Sequence, residues 1–520
     1  MYRNPQTSMP CSIPALEDLE PRTLMSVNLW ANCNFGQDNF KDYLAPYDSG
    51  TIRVTIHNDG TTKASGMTRA NIYLSTDQTL DEGEDILLAS DVKLNVKLAG
   101  GKYKTYSPRV TIPSDLVMDD YYLLVGLDTT DVIDETDEND NIAVSDDTQE
   151  VQYIFGTFHG RHVTLTLDDT SSGESVPVTF SIKGCGYGLV EADSTEDNPG
   201  YNLTIKKTNS SSSLRVSAGD DGTTSISGLD VQGNIKTVDA ANADLVGDAN
   251  IDGVVSRITM ADVGDPHGGD LALTIGSAHH WWVDLQFNSV SNLSIDSHER
   301  IGDISATEWL DDDHDDLIQA PQIDTMTISG DEDAGIAGDL ETSVLAYRDN
   351  VYKDPWIGNV NVAGTVREAT IRSGRDIDNI TVGAAVSSNF LAGLQDDVTQ
   401  PSDLDDYIIR EGHWYWGSWR HDEAISRIKR FEITGLAGAD DADPLFVDSN
   451  VAAGCIERAY LKNVQYDNGG NEFGLYAAED NDCGDAYDFV SVYDKSTGDL
   501  DTFNYHELPY FQGDFVIQIV

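Results

Sequence analysis

The chain is poor in cysteine, in basic residues and in long apolar runs, and each shortage narrows what it can be. Its five cysteines, Cys11, Cys33, Cys185, Cys455 and Cys483, are scattered over 520 residues without a Cys-x-x-Cys pair. A zinc site needs clustered sulfur or imidazole ligands and a disulfide-built scaffold needs dense pairing, so neither is expected. Cys455 and Cys483 are near enough in sequence to pair across a loop, but separate thiols are the expected state. Lys and Arg number 32 against 90 acids, a formal charge of −58 and a pI near 4.1. A phosphate backbone or an anionic bilayer surface is repelled by such a field, so nucleic-acid and membrane-surface partners are excluded. No run of about 18 apolar residues occurs, so no spanning helix is expected. No apolar segment of signal-peptide length precedes the first acids. Catalytic signatures are missing too: no Gly-x-Ser-x-Gly, no phosphate-cradling loop and no His-Glu-x-x-His.

What is present is β-patterned. In residues 27–150, Thr51-Ile-Arg-Val-Thr-Ile-His57 alternates apolar and polar, and Asn58-Asp59-Gly60 supplies a hairpin-type turn. Ala70–Ser75, Ser107–Pro113 and Tyr121–Leu127 read as further strands. Short strands separated by turns over this length predict an immunoglobulin-like β-sandwich, without the Cys…Trp…Cys core of a true immunoglobulin domain.

From about residue 223 a unit of the form apolar-x-x-apolar-x-apolar repeats. It appears as Ile235/Val238/Ala240, Val255/Ile258/Met260, Val290/Leu293/Ile295, Ile301/Ile304/Ala306 and Ile323/Met326/Ile328. Later copies are Ile357/Val360/Val362, Val366/Ala369/Ile371, Ile377/Ile380/Val382, Ile428/Phe431/Ile433 and Ile456/Ala459/Leu461. Starts lie 20 or 22 residues apart (235 to 255, 301 to 323), with half-steps of 9 and 11 (357 to 366, 366 to 377). No such unit buries its own apolar face. Stacking the units in parallel does, which predicts a parallel β-helix or β-solenoid. Residues 151–222 read as a β-rich transition into its first coils, 223–465 as the repeats, and 466–520 as closing strands that cap it. Breaks at about 264–282, 307–320, 331–356 and 393–422 read as loop insertions and hold most of the tryptophans. The fold class expected is therefore all-β, a sandwich followed by a solenoid.

Two resemblances add to this. Leu19-Glu-Pro-Arg-Thr-Leu24, in a Pro-broken leader over 1–26, resembles the LEPR-XLL motif that opens many large surface or secreted bacterial proteins, with Met25 where Leu is usual. Val54-Thr-Ile-His-Asn-Asp-Gly60, Ile72-Tyr-Leu-Ser-Thr-Asp77, Leu80-Asp81, Asp85-Ile-Leu-Leu88, Tyr121–Val125, Asp128 and Glu135…Glu138-Asn-Asp-Asn141 resemble, in that order, CARDB, the cell-adhesion-related domain of bacteria. The second resemblance implies an extracellular spacer or adhesion module without catalysis. Strings such as Ile301–Trp309 and Ala320–Gly330 more loosely resemble the β-helical repeat modules of bacterial surface proteins.

Several clusters carry oxygen ligands at spacings that suit calcium, a hard cation that wants many oxygens at once. Asp77, Asp81 and Asp85 share one turn, and Asp134, Glu135 and Glu138 another. Asp248-Ala-Asn250-Ile-Asp252-Gly253 matches the first six positions of an EF-hand-type loop, but Thr259 stands where the closing carboxylate belongs. Against each stands the plain reading of solvated acids capping turns. Asp311–Asp316 could bind a metal through His314 and carboxylates, or simply be solvated. Trp281, Trp282, Trp414, Trp416 and Trp419 could stack on sugar rings or fold back over the solenoid. Arg367, Arg372 and Arg375 beside Asp376 and Asp378 imitate a polysaccharide-cleaving site only weakly.

The function expected is a non-enzymatic protein of the bacterial cell surface with a structural or adhesive role. Calcium is the one candidate cofactor. Extracellular matrix, polysaccharide or neighbouring surface proteins are the expected partners. The competing expectations are a polysaccharide-binding or polysaccharide-cleaving β-helix protein, and a fragment of a longer surface array.

Overall fold

A computed structural model describes residues 26–520, apart from 37–39, 41–42, 114–115, 117–118, 170–175, 194–199, 220–221, 277–280, 348–354, 411–413, 416–417, 420–422, 439, 441, 480 and 482–484. The leader motif lies outside the described residues. Among these, no helix is long and apolar enough to cross a membrane. The chain divides into two compact units, one ending at Gln152 and one running from Tyr153 to Val520.

The first unit is a two-sheet antiparallel sandwich. One sheet joins Leu29–Phe35, Ser49–Asn58, Lys102–Tyr106 and Arg109–Thr111. The other joins Ala64–Ser75, Ile86–Leu98, Asp120–Gly126, Ile142–Val144 and Gln149–Glu150. The period-two pattern works as expected: Ile52, Val54 and Ile56 are buried, as are Ala70, Ile72 and Leu74 opposite. The Asn58-Asp59-Gly60 turn differs from expectation. It carries the chain from one sheet to the other and so does not close a hairpin. Asn58 is fully buried, and its amide donates to the carbonyls of Thr62 (2.8 Å) and Leu98 (3.0 Å), tying the corner to the second sheet.

The second unit opens with antiparallel strands, Tyr153–Phe158 through Ser213–Ala218, which cover the edge of the parallel sheets beyond them. Parallel pairing begins where Gly200–Lys206 meets Thr224–Gln232 and Ser213–Ala218 meets Thr237–Ala240. From there three parallel ladders run together. The first stacks Val238, Ile258, Leu285, Ile304, Met326, Val360, Ile380, Phe431, Ala459 and Val490 in register. The second stacks Leu273, Ile295, Ile318, Val344, Ile371, Phe390, Val451, Leu475 and Ile517. A narrow third one stacks Ile226, Leu245, Val263, Val290, Trp309, Leu340, Val366, Ala385, Phe446 and Val464. All of these side chains are buried in one continuous core. This is a three-faced parallel β-solenoid.

The ladders explain the half-steps of the repeat. Most copies of the motif lie on the first ladder, but Val290/Leu293/Ile295 and Val366/Ala369/Ile371 run from the third ladder into the second. Both patterns turn one corner and then alternate, so the sequence cannot separate them. The expected insertions fare unevenly. Leu271–Ile275, Leu317–Ala320 and Ser343–Ala346 place ladder strands inside three of them, while the described strands within 393–422 pair outside the ladders. Trp309 is a rung of the narrow ladder, fully buried and edge-on to Phe287 at 6.0 Å. At the far end, Asp499–Phe503 and Tyr510–Gln512 fold back antiparallel onto the last parallel strands. Cys455 is disulfide-bonded, contrary to the expectation of separate thiols; its partner lies outside the described residues. Spacing alone does not reveal the pairing, because Cys455 begins a buried strand whose neighbours come from other coils.

Candidate cation sites and aromatic surface

The loop from Asp128 to Asn141 in the sandwich is built on the buried carboxylate of Asp128. Asp128, with φ 42°, ends the strand run and accepts the Thr68 hydroxyl (2.6 Å) and the N–H groups of Val132 (3.0 Å) and Ile133 (2.8 Å). Ile133 is buried and anchors the loop. The loop is then stitched to the N-terminal strand. Asn28 donates to Asp140 Oδ2 (3.0 Å) and accepts from the Asp137 N–H (3.1 Å), and Thr136 donates to the Val27 carbonyl (2.8 Å). Glu135 Oε2 accepts the Leu29 N–H. Glu138 accepts the Glu135 N–H (3.0 Å) and the Asn141 amide (3.1 Å).

Three side-chain oxygens here, Glu135 Oε1, Asp140 Oδ1 and Asn141 Oδ1, are buried without any hydrogen-bond partner. Burial pushes the Glu135 carboxyl up to about 7, opposed by the Leu29 N–H and reinforced by Glu138, Asp128 and Asp140. Oxygens sealed from water beside other carboxylates are what a hard cation satisfies. The structure thus joins Glu135 and Glu138, leaves Asp134 exposed, and adds Asp140 and Asn141. Sequence reasoning misses the last two because their burial comes from Asn28, more than a hundred positions away.

The other expected calcium ligands do not converge. Asp77 accepts the Thr79 N–H (2.6 Å), Asp81 the Gly83 N–H (2.9 Å) and Asp85 the Asp81 N–H (2.7 Å), so each carboxylate caps its own stretch of turn. The EF-hand-type match falls on a strand and its flanks. Ala249–Ile251 is a rung between the strands Thr224–Gln232 and Leu271–Ile275. Alternate residues of a strand share a face but stand roughly 7 Å apart, so Asp248, Asn250 and Asp252 line up and do not close on one point. They bond along and across rungs: Asp248 accepts the Ala272 N–H (2.9 Å), and Asn250 donates to Asp230 (3.3 Å) and Asp252 (3.1 Å).

Among the tryptophans, Trp281 is 54% exposed. Trp282 has one face taken by the Arg300 guanidinium, 4.4 Å from the ring centre, on the paired strand. Trp414 and Trp419 are partners on two paired antiparallel strands, and Trp416 lies outside the described residues. The arginines are occupied structurally. Arg372 donates to the carbonyls of Leu394 (3.4 Å), Gln395 (2.8 Å) and Val398 (2.8 Å), while Arg367 meets Glu341 (3.7 Å) and Arg375 meets Asp376 (3.8 Å).

Comparison with known proteins bears on the first unit. The CARDB family model matches residues 39–145. A CARDB domain from Pyrococcus furiosus, crystallised in complex with di-metal ions, is similar at 16% identity, covering 26% of this chain and 97% of its own, with a TM-score of 0.18. The sporulation control protein Spo0M of Bacillus subtilis is similar at 12% identity over 32% of this chain and 78% of its own, with a TM-score of 0.16. No curated protein matches this chain. The family match thus marks residues 39–145, within the two-sheet sandwich, as a CARDB domain.

Proposed function

We propose that the chain is a non-catalytic protein of the bacterial cell surface, in which a calcium-stabilised CARDB domain is joined to a β-solenoid in an adhesive or structural role. The observation that carries the calcium reading is the set of three unpartnered buried oxygens, Glu135 Oε1, Asp140 Oδ1 and Asn141 Oδ1. The CARDB domain, an adhesion-related module, supports the surface role. The disulfide at Cys455 supports an oxidising compartment. A charge of −58 keeps such a surface solvated and gathers divalent cations from the medium. Matrix components, polysaccharides or neighbouring surface proteins are the partners this reading supplies.

The test is binding of labelled full-length protein to intact bacteria and to isolated envelope polysaccharide, with calcium or with chelator. Calcium-dependent retention on cells supports the reading. Equal retention in both conditions, or none, contradicts it. The exposed Trp281 favours a second reading, sugar binding on the solenoid flank. A Trp281→Ala variant that loses polysaccharide binding while keeping calcium-dependent cell binding would add that role.

A further inference from the structure

A second group of carboxylates lies in the solenoid, at the corner that precedes the second long ladder. Residues 265–270 lead into the strand Leu271–Ile275, and residues 311–316 into Leu317–Ala320, two rungs further on. Asn292, on the rung between them with φ 50°, holds both: its Oδ1 accepts the Asp312 N–H (3.1 Å) and its Nδ2 donates to the Gly268 carbonyl (3.5 Å). Asp270, Asp313 and Asp315 each bring a carboxylate oxygen within 4.8 Å of the others. Oxygens on opposite sides of one calcium ion stand about 5 Å apart at most, so three oxygens this close can share a single ion. The Asp315 N–H donates to Asp313 Oδ1 (3.4 Å), which keeps these two residues of the loop together.

Asp316, in the same loop, supplies the independent observation. It is 3% exposed. Its Oδ1 accepts the Ser294 hydroxyl (2.7 Å), while its Oδ2 is buried with no partner. The carboxylates that act on it are those of Asp311, Asp270 and Asp315. Asp311 is already engaged, accepting the N–H groups of Asp313 (3.3 Å), His314 (2.8 Å) and Asp316 (3.0 Å). Among the described residues no Lys or Arg pairs with any of these acids, and the ion pair on the loop joins His314 to Glu368 (3.3 Å). A buried carboxylate oxygen with neither donor nor counter-charge is costly to fold around, and acids converging from two rungs compound the cost.

We propose that Asp270, Asp313 and Asp315, backed by Asp316, bind one divalent cation of the calcium class, which fastens two acidic loops across three consecutive rungs of the solenoid. The site is independent of the CARDB loop. Asp270 precedes Asp313 by 43 residues, and only the stacking of rungs brings it to the other two ligands.

Hydrogen exchange of the full chain, read by mass spectrometry in calcium, in magnesium and in chelator, tests this directly. Calcium is expected to slow exchange several-fold in peptides covering 265–270 and 311–317. An Asp313→Asn/Asp315→Asn double variant, altered only at exposed positions, is expected to lose that protection and keep any response in peptides covering 128–141. A Glu332→Gln/Asp333→Asn variant removes the same charge from exposed acids elsewhere on the solenoid and is expected to behave as wild type. Absent protection in the wild type, protection that survives in the first variant, or protection lost equally in the second, each overturns the site.

Discussion

Glu135 accepts the backbone N–H of Leu29 through one carboxylate oxygen, while its other oxygen is buried without a partner. One side chain thereby ties an acidic loop to the first strand of the sandwich. Its carboxyl, pushed up to about 7 by burial, holds its proton in the folded state at a pH where the unfolded chain has lost it. The folded state then binds more protons between about 4.5 and about 7, so this group's contribution to stability falls as pH rises through that window. In chelator, the CARDB domain is expected to lose on the order of 1–2 kcal/mol across the window, solvent screening included. Glu135→Gln is expected to flatten the profile. Denaturant titrations at several pH values read both.

The solenoid core makes its own prediction. Trp309 stacks between Val290 and Leu340 in the narrow ladder and is fully buried. Trp309→Ala is expected to destabilise the solenoid by about 3–5 kcal/mol and to leave unfolding of the CARDB domain unchanged. Urea unfolding followed by hydrogen exchange in each unit separates the two.

The apparent EF-hand loop gives a contrast between charge and packing. A Cβ on Gly253 would stand 2.4 Å from the Gly233 carbonyl carbon on the next coil. Gly253→Ala is therefore expected to cost about 1–3 kcal/mol by overpacking. Asp252→Asn is expected to leave calcium binding unchanged, because its carboxylate is part of a strand face. Calorimetric titration with calcium, beside a melting curve for each variant, checks both halves.

Arg372 fastens the segment that leaves the ladders after residue 392, through three backbone carbonyls. Arg372→Ala is expected to raise the rate of proteolytic cleavage between residues 393 and 408 several-fold. Arg372→Lys is expected to restore only part of the protection, since an ammonium lacks the planar fork that reaches several acceptors at once.

How far the sequence reveals the structure differs from residue to residue. Ile52, Val54 and Ile56 are legible because a two-residue period states which face is buried. The repeat is legible for the same reason, and its offset copies are not, because the first and second ladders carry one motif. Ile86–Leu98 escapes a strand reading through its half-exposed, irregular first half, although Val92–Leu98 alternates and buries Leu94, Val96 and Leu98. Trp309 reads as a loop residue because acids follow it, although its burial depends on rungs about 20 residues before it and 30 after it. Asp248, Asn250 and Asp252 mislead because a calcium loop and a strand face share the same 1, 3, 5 spacing. Of the acidic loops in the sandwich, the one completed by distant Asn28 gathers unpartnered oxygens, and that closure is a property of the fold.

The most direct measurement is thermal unfolding of the full chain in calcium, in matched magnesium and in chelator, repeated for Glu135→Gln/Asp140→Asn. A ligand that binds only the native state must raise its melting temperature. Calcium is expected to raise the CARDB transition well beyond the effect of magnesium, and the double variant to lose the difference. Superimposable wild-type curves in all three conditions would contradict calcium binding by this domain, and would return the acids of the loop to the solvent.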